Sequence, residues 1–213
     1  FVDHVRELFG LHTHVVHDSN RSYFAGVIPD DKEETLYIFN RGTDGEGFGN
    51  VKSWARNFRL FTGGDGVHNG FQDLGNNVID KFKSYIYSYR TVVISGQSQG
   101  AGVTPYEACL VAENFKNVDH VYGFSFAAPP TGNELFAQRC KHHIDNDVMT
   151  LKRYNNHGDY IDSGFFRNQN SSVFDGVDVG DEITLPRIIR FETTPALRLI
   201  QHSNAVTNAA LMQ

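Results

Sequence analysis

The sequence predicts an α/β fold in which a mostly parallel central sheet carries helices on both faces. Three observations predict it. The β-branched run Thr91-Val92-Val93-Ile94-Ser95 has the pattern of a strand buried on both faces. From about residue 71 to residue 154, stretches with helical spacing of apolar residues alternate with extended runs. A chain of 213 residues, 40% hydrophobic and 13% aromatic, is long enough to bury one core, and 1–213 is read as a single domain.

The elements follow in order. Tyr23 to Ile28 and Thr35 to Asn40 are extended runs separated by Pro29-Asp30-Asp31-Lys32-Glu33, which reads as a hairpin. A Gly-rich stretch, Gly42 to Gly66, comes next. Phe71, Leu74, Val78, Ile79, Phe82, Ile86 and Tyr89 then recur at helix spacing, predicting a helix over about 71–89. After the strand at Thr91, a helix is expected over Gly100 to Phe115, interrupted or delayed by Pro105. A strand at His120 to Phe126, a helix at Gly132 to Ile144 and a strand at Val148 to Tyr154 continue the alternation. Asp162 to Pro186 reads as irregular and polar, Ile188 to Phe191 as one more strand, and Asn204 to Met212 as a closing helix.

Bulk properties exclude some functions. A net charge of −6 argues against an electrostatic grip on nucleic acid or anionic lipid. No apolar run reaches the roughly 18 residues a membrane span requires. The first residue is Phe1, which is compatible with a signal peptide already removed. Cys109 and Cys140 fall in expected helices and read as free, half-buried thiols, a mild lean towards a reducing compartment. Asp175, Asp178 and Asp181 are spaced like metal ligands but lack the Gly and terminal Glu of a calcium loop, so they read as a solvated acidic loop. No metal or organic cofactor is implied.

Chemistry enters with Gly96-Gln97-Ser98-Gln99-Gly100, which lies between the buried strand and a helix. In that setting a Gly-x-Ser-x-Gly segment is a nucleophile elbow, the hallmark of an α/β-hydrolase fold. The turn presents the hydroxyl of Ser98 at the sheet's carboxyl edge, and glycines remove the Cβ atoms that would collide there. The helix N-terminus beneath it favours a developing oxyanion. A serine needs a base, and the base an orienting acid, in the chain order Ser, acid, His. Asp159 and Asp162, just beyond the strand ending near Tyr154, both qualify as the acid. Among the downstream histidines, His142 and His143 belong to a helix expected on the outside of the sheet, and His157 is too close to the acid loop. His202 stands alone, late enough to return to the carboxyl edge, and is the candidate base.

These segments resemble the class 3 lipases, the lipase and esterase group related to fungal triacylglycerol lipases. The resemblance runs from about Thr35 to His202. Leu36 to Thr43 is similar to that family's strand ending in Arg-Gly-Ser/Thr; Trp54, Asn57 and Val67-His68-Asn69-Gly70-Phe71 resemble its Asp-Trp…Asn and Val-His-x-Gly-Phe segments. Phe124 to Asn133 resembles its Thr-Phe-Gly-x-Pro-Arg-Val-Gly-Asn, and Asn156 to Ile161 its Asn-x-x-Asp-x-Val acid loop, which selects Asp159 over Asp162. His202-Ser203 stands where the family carries its histidine. The resemblance implies an α/β-hydrolase fold and hydrolysis of carboxylic esters through Ser98, Asp159 and His202. It also implies an oxyanion hole formed by Thr43 and the backbone N–H of Gln99. Its implied partners are a small-molecule or lipid ester as substrate and transient contact with a membrane or lipid-droplet surface.

The chain departs from the family pattern at Gln97 for His, at Gln99 for Leu, and at Ala127-Ala128-Pro129-Pro130, where the family has a glycine and an arginine. These changes bear on substrate rather than on reaction. Asp44 to Asn50, where the family carries a lid, is short, polar and Gly-rich, which favours an esterase over an interfacial lipase. Phe165, Phe166, Val173 and Phe174 are read as satellite core beside the alternative that they wall an acyl pocket. The rival functions are a catalytically silent hydrolase-like binding protein and an acyltransferase or peptidase on the same fold, since one triad serves every acyl transfer.

Overall fold

A computed structural model describes residues 14–18, 23–42, 64–156 and 176–185. They form a seven-stranded sheet in simple sequence order: β1 (His14–Asp18), β2 (Tyr23–Asp30), β3 (Thr35–Asn40), β4 (Thr91–Gln97), β5 (His120–Phe126), β6 (Met149–Asn156) and β7 (Asp181–Leu185). The first three strands pair antiparallel and the last five parallel. The hairpin expected from the sequence joins β2 to β3, with Asp30 opposite Thr35, and its Pro29 and Asp30 are strand residues rather than turn.

Three helices connect the parallel strands: α1 (Asn69–Ile86), α2 (Gln99–Asn114) and α3 (Glu134–Asp145). Because β3 to β7 are laid down in one direction, right-handed crossovers put these three helices on the same face. α2 lies over β4 and β5, with α1 packed on one flank and α3 on the other. The buried set on that face alternates along each strand: Leu36 and Ile38, Val92 and Ile94, Val121, then Met149 and Leu151. Against it α1 presents Phe71, Leu74, Val78, Ile79, Phe82 and Ile86, the residues picked out by their spacing. The opposite face carries Phe39, Phe124, Phe126 and Tyr154, all half-buried. The three described helices all pack on the other side of the sheet.

α2 is buried along most of its length, which is why its apolar residues show no single stripe. Pro105 neither delays nor divides it; the helix starts at Gln99 and continues past the ring. Proline removes the N–H that would bond the carbonyl of Ala101. That carbonyl instead accepts from the Ser125 hydroxyl of β5 at 3.1 Å, so the lost helical bond is replaced from the sheet.

Several expectations change. The stretch 162–186, read as irregular, contains β7. Its acidic residues are recruited by Arg153, buried on β6, which pairs with Asp178 and with Glu182 at 3.1 Å. Asp178 is therefore an ion-pair partner rather than part of a solvated loop, and Asp181 opens the strand. Cys109 on α2 and Cys140 on α3 are free but fully buried, not half-buried, and burial pushes the Cys109 thiol up. His143 is no simple surface residue, since its Nε2 lies 3.2 Å from Glu113 Oε1. Among the described residues no helix is long and apolar enough to cross a membrane. The strand at 188–191, the helix at 204–212, Phe165, Phe166, Val173, Phe174 and Asp175 lie outside the described residues.

Candidate active site

The parallel strands end together at one edge, where open α/β sheets bind ligands. Asn40, Gln97 and Phe126 mark that edge on three adjacent strands. Ser98 stands between the end of β4 and the start of α2, with φ 55° and ψ −117°. An L-residue avoids this region, at a cost on the order of 1–3 kcal/mol, and a serine held there marks a site that the surrounding structure over-determines.

The constraints can be named. Ser98 N–H donates to Phe126 O of β5 at 3.0 Å, and Ser98 O accepts from Gly102 N at 3.1 Å. A Cβ at Gly96 would strike the carbonyl of Gly100, and a Cβ at Gly100 would strike the backbone of Asn40 and Arg41. Both glycines of the motif are therefore required for space: the turn folds back so tightly that strand and helix backbones touch. A Cβ at Gly42 would lie 3.0 Å from Gln97 O and 3.2 Å from Ser98 Cβ. The backbone just past β3 thus lies against Ser98.

A second positive φ occurs one strand over. Ala127, which follows β5, has φ 53° and donates its N–H to Tyr154 O at 2.9 Å. It occupies the position where the family pattern carries glycine, so here a buried alanine bears the left-handed conformation. Beyond it, Thr131 Oγ1 donates to Gly102 O at 2.8 Å and Thr131 O accepts from His68 N–H at 3.0 Å. His68 is buried and caps α1, its Nδ1 accepting from Gly70 N–H at 3.1 Å. Burial outweighs its own backbone hydrogen bond and brings its pKa down to about 4, so the imidazole stays neutral and the cap intact at neutral pH.

Of the expected site residues, the described part of the chain holds Ser98 and Gln99. Ser98 is the N-cap of α2 and Gln99 its first residue, so the Gln99 N–H sits at a helix N-terminus, where a helix lacks internal partners. Thr43, Asp159, Asp162, His157 and His202 lie outside the described residues, as do Trp54, Asn57 and the segment 44–50. β6 ends at Asn156, three positions before Asp159 in the sequence.

One pair at this edge escaped the reading of the sequence. Asn40, the last residue of β3, donates from Nδ2 to Glu107 Oε2 of α2 at 2.5 Å, and both side chains are buried. Burial pushes the Glu107 carboxyl up to about 8, against the opposing effect of the Asn40 bond. The visible signal was a glutamate inside the otherwise uncharged run Gly100 to Ala112.

The family model for lipase (class 3) matches residues 37–167, more than half of the chain. The chain belongs to the class 3 lipase family. No curated protein matches this class 3 lipase-family chain in sequence. Solved structures do match it in fold. A triacylglycerol lipase from Penicillium expansum superimposes with a TM-score of 0.62 at 17% identity, over 83% of this chain and 69% of that one. The lipase of Rhizomucor miehei, as its propeptide complex, gives a TM-score of 0.59 at 21% identity, over 82% of this chain and 57% of that one. A triacylglycerol lipase with a serine protease triad as its catalytic centre gives 0.57 at 20% identity, over 82% and 66%. The class 3 lipase-family chain thus has the α/β-hydrolase fold and spans between 57% and 69% of the length of these lipases.

Proposed function

We propose that the chain is a serine hydrolase that cleaves carboxylic esters through an acyl-enzyme, with Ser98 as nucleophile, His202 as general base and Asp159 as the acid that orients it. The observation that carries this reading is the backbone of Ser98, held at φ 55° between a parallel strand and the N-terminus of a buried helix. Strain of that kind clusters at active sites, and here it falls on the hydroxyl-bearing residue of the Gly-x-Ser-x-Gly segment. Membership of the class 3 lipase family supports an ester as the substrate class, lipid or smaller.

In this reading the Ser98 hydroxyl attacks the ester carbonyl carbon while His202 takes its proton. The carbonyl oxygen becomes an oxyanion held by N–H groups of Thr43 and Gln99. Collapse expels the alcohol, which receives the proton from His202, and leaves an ester on Ser98. Water, deprotonated by His202, then releases the acid and restores the serine. The close approach of the Gly42 backbone to Ser98, where a Cβ on Gly42 would lie 3.2 Å from Ser98 Cβ, supports a donor role for the next residue, Thr43. Transient contact with a membrane or lipid droplet is an extension of the same reading, to be tested by substrate dispersal.

Hydrolysis of a short-chain nitrophenyl ester tests the assignment. Asp159→Asn should lower kcat by orders of magnitude and Asp162→Asn far less, while His202→Ala should be as damaging as loss of Ser98. An Asp162→Asn loss exceeding that of Asp159→Asn would move the acid to Asp162.

A further inference from the structure

The Asn40–Glu107 hydrogen bond joins two elements that must be aligned for an oxyanion hole to exist. Asn40 is the last residue of β3, and Arg41 and Gly42 follow directly. Glu107 lies on α2, the helix whose N-terminus carries Ser98. The strand and helix that carry the pair also bury apolar residues, Leu36 and Ile38 on β3 and Val103, Ala108 and Val111 on α2. An amide and a carboxyl buried at such a place cost desolvation that two apolar side chains of similar size would avoid. What they provide instead is direction, because a hydrogen bond fixes a distance and an angle where apolar contact tolerates sliding.

The backbone contacts show what that direction sets. The backbone of Asn40 and Arg41 lies against Gly100 in the first turn of α2, and Gly42 lies against Gln97 and Ser98. The side-chain bond from Asn40 reaches further along the helix, to Glu107 Oε2. The end of β3 is thereby held on α2 at two separate points. Among the described residues the other oxygen, Glu107 Oε1, meets no hydrogen-bond partner, so the carboxyl has been buried without a network of its own. Resting on the ester-hydrolase reading above, we propose that Asn40 and Glu107 are positioning residues: their buried hydrogen bond sets the end of β3 against the elbow helix and so holds the oxyanion-binding N–H groups in register with Ser98. Because burial keeps the carboxyl protonated near neutral pH, the tie adds no negative charge under a site that must stabilise one.

The test compares wild type, Glu107→Leu, Glu107→Gln and Asn40→Ala by hydrolysis of a short-chain nitrophenyl ester, each rate normalised to sites titrated with a fluorophosphonate. Donors displaced by a fraction of an ångström act mainly on the transition state, so Glu107→Leu should lower kcat on the order of tenfold while KM stays within about twofold. Glu107→Gln keeps an acceptor for Asn40 and should restore kcat to within about twofold of wild type. A merely structural role would lower the melting temperature and the number of titrated sites but not the rate per site. Unchanged kcat per site in Glu107→Leu, or an equal loss in Glu107→Gln, would overturn the proposal. Should Glu107→Leu fail to fold, Asn40→Ala deletes the same bond from the strand side, and its kcat per site decides. A wild-type chain that neither labels nor hydrolyses any ester would overturn the hydrolase reading itself, and this inference with it.

Discussion

Replacing Glu107 by Gln should make the protein more stable, and by an amount that grows with pH. The side chain is fully buried on α2 and its carboxyl is pushed from an ordinary 4.5 up to about 8, chiefly by burial, with the Asn40 bond acting the other way. An acid whose pKa is higher folded than unfolded binds more protons in the native state, so stability falls as pH rises. The contribution is complete below about 4.5 and is lost by about 8. Each pH unit in that window costs about 1.4 kcal/mol, on the order of 5 kcal/mol over the whole of it. Gln has no proton to lose, keeps the shape and offers Asn40 the same acceptor. The two proteins should therefore be about equally stable near pH 4.5, diverge steadily, and stay a constant amount apart above pH 8. For a chain of this length the gap at pH 8 corresponds to roughly 10 °C or more in Tm. Chemical denaturation of both proteins at intervals from pH 4 to 9 measures it, and subtraction removes every other titrating group. A difference that does not change with pH would refute the reasoning, because it would show the carboxyl equally ionised in both states.

Two further outcomes follow from strained or buried groups. His68 has the opposite linkage: its pKa falls from 6.5 to about 4 on folding, so the stability it contributes is complete above 6.5 and is lost as pH falls towards 4. His68→Asn keeps a helix-capping acceptor without the titration, and denaturation between pH 6.5 and 4 should show a shallower acid loss than wild type. At Ala127, glycine should relieve about 1 kcal/mol of left-handed strain but add a similar entropy to the unfolded chain, leaving Ala127→Gly within about 0.5 kcal/mol of wild type. Ala127→Val should lose about 2 kcal/mol or more in the same assay, being β-branched in that conformation and fully buried. A tolerated valine would mean that the turn does not hold this geometry in solution.

What the sequence disclosed depended on range. β4, β5 and α1 announce themselves locally, through β-branched runs and helical spacing, and their observed bounds lie within a few residues of those expected. The elbow was legible because strand, Gly-x-Ser-x-Gly and helix are contiguous. β1 and β7 were not, because both are short strands with polar residues at the edges of the sheet the described residues form, and β7 opens with Asp181-Glu182. The buried Arg153 on the neighbouring strand gives Glu182 an ion-pair partner in the sheet. Pro105 misled for a similar reason, since the hydroxyl that satisfies Ala101 O comes from Ser125, 24 positions away. The Asn40–Glu107 pair spans 67 positions, and nothing local marks either residue as the other's partner.

The central claim is that the strained turn at Ser98 presents a nucleophile, and covalent labelling addresses it most directly. The folded wild-type chain should react with a fluorophosphonate to give one phosphonylated peptide, and mass spectrometry should place the adduct on Ser98. Ser98→Ala, folded to the same circular dichroism spectrum, should not label and should not hydrolyse ester. An adduct on any other residue, or labelling that persists in the folded Ser98→Ala protein, would contradict the account.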